Sequence, residues 1–170
     1  MAINSLTLEG AVTQDVRTRI NENFRDVSKA TATFSATSGD TGTTLTNVTG
    51  LVTGELEPGT YSFRINLGTV ATANSGLKIG LKQSVASMVS AIEYDAVGFT
   101  ASGVVAARGT TTTDAATILG STSAIIVAQV SGVVTVALKG TLQLQAAQNA
   151  SHADTTSVFL NSFMEFQKIA

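Results

Sequence analysis

The chain has no cysteine, no tryptophan and a single proline, Pro58, and only 13% of its residues are charged. Each shortage closes a route. Without thiols there is no disulfide framework and no thiolate metal site, and one histidine, His152, cannot build a tetrahedral zinc site within one chain. Without tryptophan a strong carbohydrate platform is poorly supplied, because Tyr61, Tyr94, Phe63, Phe99, Phe163 and Phe166 all fall inside strand patterns. A net charge of −2 with no basic cluster offers nucleic acid no electrostatic footing. No apolar run approaches the roughly 18 residues that a membrane span needs. The opening MAINSLTLEG also lacks the basic-then-apolar order of a secretory signal.

What is present suits one domain. A chain of 170 residues with 44% hydrophobic content can bury a core of its own. Glycine, alanine, serine and threonine dominate, and abundant threonine and valine point to β structure. So low a charge also implies that part of the surface is covered by other subunits.

Strand signals recur from residue 45 onward: 45–52, 60–67, 76–82, 85–94, 97–106, 123–130, 133–146 and 162–169. Tyr61, Phe63, Ile65 and Leu67 alternate with Ser62, Arg64 and Asn66, and Leu77, Ile79 and Leu81 alternate with Lys78 and Lys82. The longest run places Val134, Val136, Leu138, Leu142 and Leu144 on one parity, against Thr135, Lys139, Gln143 and Gln145. A period of two marks strands with one buried face. Pro58-Gly59, Asn74-Ser75-Gly76 and Ser131-Gly132 read as turns. About eight strands without interleaved helices predict an all-β sandwich or barrel.

Residues 1–33 read differently. Val12, Val16, Ile20, Phe24 and Val27 recur at spacings of four, four, four and three, which predicts an amphipathic helix over residues 13–27 with Thr13 as its cap. A helix of roughly four turns is marginal alone in water and must pack on something. Ahead of it, Ile3, Leu6 and Leu8 suit an extended arm lying on another protein. This division expects an anchor over 1–33 and a β domain over 34–170.

Chemistry finds little footing. His152 lies in NASHADTT with Asp154 two residues on, but a Ser–His–Asp set needs geometry that sequence does not show, and a solvated loop histidine is the plainer expectation. Glu55, Glu57, Asp95, Asp114 and Asp154 are scattered singly, without the spacing of a calcium loop. Nothing has the form of a nucleophile elbow or a phosphate-binding loop. The expectation is a protein without catalysis, cofactor or metal. ARGTTTTDAAT (107–117) reads as a loop and a second candidate for contact, from Arg108 to Asp114.

The closing segment carries a resemblance. LQLQAAQN, then a short Ser/Thr/Asp loop, then SFMEFQKI resembles the C-terminal repeat of small jelly-roll domains in tailed-phage virion proteins. The likeness extends upstream through LEPGTYSFRINL (56–67) and GLKIGLKQS (76–84). Those domains are similar to tumour-necrosis-factor and complement-type heads, so the resemblance implies an eight-stranded antiparallel jelly roll in a homotrimer, with the last strand near the three-fold axis. Large apolar groups stand on both parities of that strand, Phe163 and Ile169 on one and Met164 and Phe166 on the other, and a strand apolar on both faces needs cover on both. Phe163, Met164, Phe166 and Ile169 are therefore expected at the trimer core. Ile3, Leu6, Leu8, Val16, Ile20, Phe24 and Val27 are expected to attach the trimer to a capsid.

The implied function is that of a virion structural protein, a capsid decoration protein on the head surface. Its partner is the major capsid protein or another virion protein, with no part for nucleic acid or membrane, and it is made in the host cytoplasm. Only residues 1–33 precede the β region, which favours decoration over the tip of a long fibre. The alternative is a head-fibre or tail-fibre tip that binds a host receptor.

Overall fold

A computed structural model describes residues 25–37, 42–111 and 116–170. They form twelve strands: β1 (Arg25–Lys29), β2 (Phe34–Ala36), β3 (Thr46–Val52), β4 (Gly59–Val70), β5 (Leu77–Gln83), β6 (Val89–Thr100), β7 (Val104–Thr111), β8 (Ala116–Ser121), β9 (Ile125–Val136), β10 (Leu142–Ala147), β11 (Thr156–Val158) and β12 (Phe163–Lys168). No helix occurs among the described residues.

The strands make two antiparallel sheets, as a β sandwich does. The larger runs β1-β12-β4-β9-β6-β7, with β11 also paired to β4 and carrying β2, and the smaller runs β3-β10-β5-β8. Four pairs nest inside one another along the chain: β1 with β12, β3 with β10, β4 with β9, and β5 with β8. The inner parities of both sheets meet in one core. Phe63, Ile65 and Leu67 come from β4, Ile79 from β5, Leu142 and Leu144 from β10, and Met164 and Phe166 from β12, all nearly or fully buried.

Three expectations change. The long run 133–146 is not one strand: Val134 and Val136 end β9 in the larger sheet, and Leu142 and Leu144 lie in β10 of the smaller. All four share a parity because both sheets face the same core, while Leu138, in the crossover between them, is 48% exposed. Ser131-Gly132 is no turn, since β9 passes straight through it. A Cβ on Gly132 would lie 2.0 Å from the Glu93 carbonyl oxygen and 2.9 Å from the Phe63 ring, so the glycine serves close approach within a sheet. Asp95-Ala96 is likewise interior to β6, and the hairpin to β7 turns at residues 101–103.

The third change concerns the N-terminal helix. Residues 13–24 lie outside the described residues, but Arg25–Lys29 is strand, paired residue for residue with Lys29 against Phe163 and Arg25 against Gln167. Pairing overrides the period-four spacing there: the β12 edge offers a partner to every backbone group, whereas a three-residue helix end offers few. Asp26 helps hold the strand, its carboxylate accepting the Gly54 N–H at 2.7 Å. Ala30 is buried in the core and its N–H donates to the Ser162 carbonyl, so the larger sheet begins ahead of residue 33.

Candidate functional site

The outward parity of the larger sheet presents one face across six paired strands, and register fixes what stands on it. Phe166, Ile65, Val130 and Ala96 point into the core, so their strand neighbours point away. One row across the face then reads Val27, Glu165, Arg64, Ser131, Asp95, Arg108. Glu93 and Thr110 stand beside it on one side, with Val133 between Glu93 and Ser62.

An open depression of about 480 Å3 lies where β6, β7 and β9 run together. Its walls are Glu93, Asp95, Arg108, Thr110, Ser131 and Val133, and Tyr94, Gly109 and Gly132 contribute between them. Asp95 and Arg108 form an ion pair there, which raises the Arg108 pKa through the hydrogen bond to Asp95. Both groups are largely exposed, so the pair adds little to stability. Among the described residues neither Glu93 nor Arg64 takes part in an ion pair. One strand, β9, lies between these last two, so two strand spacings, roughly 10 Å, hold them beyond direct contact.

One end of the face is apolar. Phe99 stands opposite Val104, with Val127 beside Phe99. Phe99 and Val104 are 39% and 61% exposed, and Phe159 and Leu160, in the turn before β12, are 38% and 55% exposed. That turn is held by the Phe159 N–H donating to the Gly68 carbonyl at 2.8 Å.

The expected trimer residues divide between the two faces of β12. Met164 and Phe166 are covered within their own chain, Phe166 stacking on Phe63 with ring centroids 5.5 Å apart and planes 15° apart. Phe163 is half-buried and Ile169 exposed, so any subunit contact by this strand falls to them and not to the inward pair. Of the expected attachment residues, Ile3, Leu6, Leu8, Val16, Ile20 and Phe24 lie outside the described residues. Val27 is an exposed outward residue of β1.

The NASHADTT loop is a polar knot. Gln148, fully buried, donates from its amide to the His152 and Asp154 carbonyls and accepts the His152 N–H on its side-chain oxygen at 3.2 Å. Thr72 donates to the Asp154 carboxylate at 2.7 Å, and its hydroxyl lies 3.1 Å from that of Ser75. Ser75 lies 3.0 Å from the Thr156 hydroxyl, which donates to the Gly76 carbonyl at 2.8 Å. His152 Nδ1 accepts the Asp154 N–H at 3.1 Å and sits 3.2 Å from its carboxylate. The Thr72 hydroxyl holds the Asp154 pKa below its ordinary value, with help from His152. Histidine and aspartate thus meet, but the Ser75 hydroxyl lies against those of Thr72 and Thr156, and the knot ties the β4–β5 and β10–β11 loops together.

The scattered acids also find roles. Glu55 and Glu57 grip Lys139 at 3.1 and 2.7 Å and raise its pKa, Glu57 foremost, which pins the β9–β10 crossover. No group of three or more metal-ligating side chains occurs among the described residues. Arg108 to Thr111 belongs to β7 rather than to a loop, and Asp114 lies outside the described residues. Sequence reading passed over Arg64 and Glu93. Their signal was the polar parity of β4 and β6, but only register places them on one face.

No protein-family model matches this chain, and no curated protein matches it.

Proposed function

We propose that this chain is a tailed-phage virion structural protein, a trimeric capsid decoration protein that binds the outer head shell and reinforces it without catalysis. The observation that carries the reading is the nested strand pairing. Folding one long hairpin so that the first strand meets the last, and each inner pair follows in turn, yields the two-sheet order of an eight-stranded jelly roll. Here β1, β3, β4 and β5 pair with β12, β10, β9 and β8, and β6–β7 is a hairpin added to the larger sheet. Jelly rolls build viral capsids and lectins alike, so the frame supports the class and the resemblance of the closing segment selects within it. The low charge, and an outer face on which Arg64 and Glu93 take part in no ion pair among the described residues, agree with a protein whose role is assembly.

The attachment segment in this reading is residues 1–24 with Val27 beside it, and its partner is the major capsid protein or another shell protein. A second reading, a head-fibre or tail-fibre tip that binds a host receptor, is favoured by the exposed Phe159, Leu160, Phe99 and Val104 at one end of the sandwich. Electron microscopy of virions with and without this chain separates the two. Trimeric density on the head shell that vanishes with the chain supports decoration, density at a fibre tip supports the second reading, and unchanged virions refute both.

A further inference from the structure

We propose that the outer face of the larger sheet packs on the same face of a second copy, about a two-fold axis along β9 that sets Arg64 of each copy against Asp95 of the other. The contact goes beyond the trimeric reading and does not rest on it.

The central row reads Glu165, Arg64, Ser131, Asp95 and Arg108 across β12, β4, β9, β6 and β7. Its signs run negative, positive, neutral, negative, positive. Turned about Ser131, the row meets its own reverse: Arg64 falls on Asp95, Glu165 on Arg108, and Ser131 on itself. Laying β12 over β6 and β4 over β7 instead sets Glu165 on Asp95 and Arg64 on Arg108, like on like. Charge therefore selects the reversed arrangement, which is isologous. Arg64 is exposed and takes part in no ion pair among the described residues, so the second copy supplies a carboxylate that its own chain does not.

The rows on either side agree with the same axis. Phe163 of β12 and Ala106 of β7 stand equally far from β9 in the row through Gln129, so a half-buried ring meets a small exposed residue. One row further, Phe99 and Val104 lie on one side of β9, and the turn of Phe159 and Leu160, tied to Gly68, lies on the other. All four are exposed, and the two-fold brings each apolar pair toward the other. In the opposite direction Glu93 comes opposite Ser62, a hydroxyl donor, and Thr110 opposite Gln167. The axis itself carries Val127, Gln129, Ser131 and Val133, so no charge meets its own copy.

Two sheets laid face to face with nearly aligned strands are an ordinary packing. Five strands and four such rows span roughly 24 by 27 Å, or about 1,300 Å2 over both copies, which is the size of a stable contact. β1 lies beyond β12 and falls outside the overlap, so Val27 stays uncovered for the shell attachment proposed above.

The chain has no cysteine, so a single introduced thiol reports self-contact. Ser131→Cys in the full chain, treated with a short bismaleimide, should link into pairs, while Val27→Cys, outside the overlap, should stay single. Light scattering across concentration should give a wild-type dimer, or a hexamer where the trimer also forms. Arg64→Asp should raise the concentration for half-assembly about a hundredfold, since like charges then meet twice in each pair, and Arg64→Asp/Asp95→Arg should recover at least about tenfold of that loss. All these sites are exposed, and circular dichroism should show each variant folded. Assembled protein in which Ser131→Cys stays single, or in which Val27→Cys links as readily, overturns the two-fold, as does an Arg64→Asp chain that assembles like wild type. A wild-type trimer without Ser131 links overturns the two-fold and leaves the trimeric reading standing. A linked dimer supports the two-fold and refutes the trimer, a linked hexamer supports both, and a monomer at high concentration overturns both.

Discussion

Replacing Phe166 by alanine tests how β12 divides its work between core and contact. The ring is 1% exposed, stacks on Phe63 at 5.5 Å, and sits between Met164 and the β4 side chains of the inner face. Truncating a buried phenylalanine costs about 3–5 kcal/mol through lost transfer energy and the cavity left behind. The stacked pair adds about 0.5–1.5 kcal/mol beyond area, which a double-mutant cycle with Phe63→Leu isolates. For a chain of this size, 1 kcal/mol moves the melting midpoint by about 2–4 °C, so a loss of about 4 kcal/mol should lower Tm by roughly 8–16 °C. Calorimetry or thermal circular dichroism reads this directly.

The companion variant is Phe163→Ala, three positions away on the opposite parity of β12. Phe163 is half-buried on the outer face, opposite Asn66, so its truncation should move Tm far less in a dilute, dissociated sample. If that face meets a second copy, the same change should weaken assembly. A Tm shift below about 3 °C for Phe166→Ala would mean the ring is not in the core, and the assignment of faces on β12 would fail with it. Equal effects of the two substitutions in dilute sample would refute the division just as well.

Three other outcomes follow from the packing. Gly132→Ala should destabilise the fold by about 1–3 kcal/mol by chemical denaturation, because its Cβ meets the Glu93 carbonyl and the Phe63 ring, whereas a turn glycine exposed to solvent would tolerate the change. Thr72→Val should weaken the fold at neutral pH and flatten its acid sensitivity: Asp154 has a depressed native pKa, so its contribution is present above the ordinary carboxylate value of about 4 and is lost as pH falls through the native value, and Tm against pH for both proteins reads this. A chain beginning at Arg25 should keep the thermal stability of the β sandwich yet fail to decorate particles in a binding assay, while one beginning at Thr33 should also lose stability, because it strips β1 from β12 and removes the buried Ala30.

Alternation was a sound guide where a strand has one buried face and one wet one. β4, β5 and β12 follow it closely, because the pleat sends odd and even residues to different media. It misled where two strands share one medium: β9 and β10 belong to opposite sheets, yet both turn the same parity to the common core, and five residues of crossover keep the count in step. Glycine misled in the same way. Gly132 looked like punctuation because sequence shows only a missing side chain, and the reason it is missing, a neighbouring carbonyl, comes from another strand. β2, β8 and β11 are short or lightly apolar, and their pairing partners stand far along the chain.

The outer face was the least legible part, and the reason is general. Core residues announce themselves by type, since burial selects apolar side chains whatever the partner. A contact face is defined by which polar residues share it, and that depends on register across several strands at once. Arg64 and Asp95 are 31 positions apart in the chain, yet β9 sets them on one row through Ser131. Slipping β9 by a single residue against β4 and β6 would turn Ser131 inward and Gly132 outward and so break the row. The close contacts at Gly132 forbid that slip, since no other residue of β9 could take its place against the Glu93 carbonyl. The same glycine that hides the strand from sequence reading therefore locks the register on which the charged row depends.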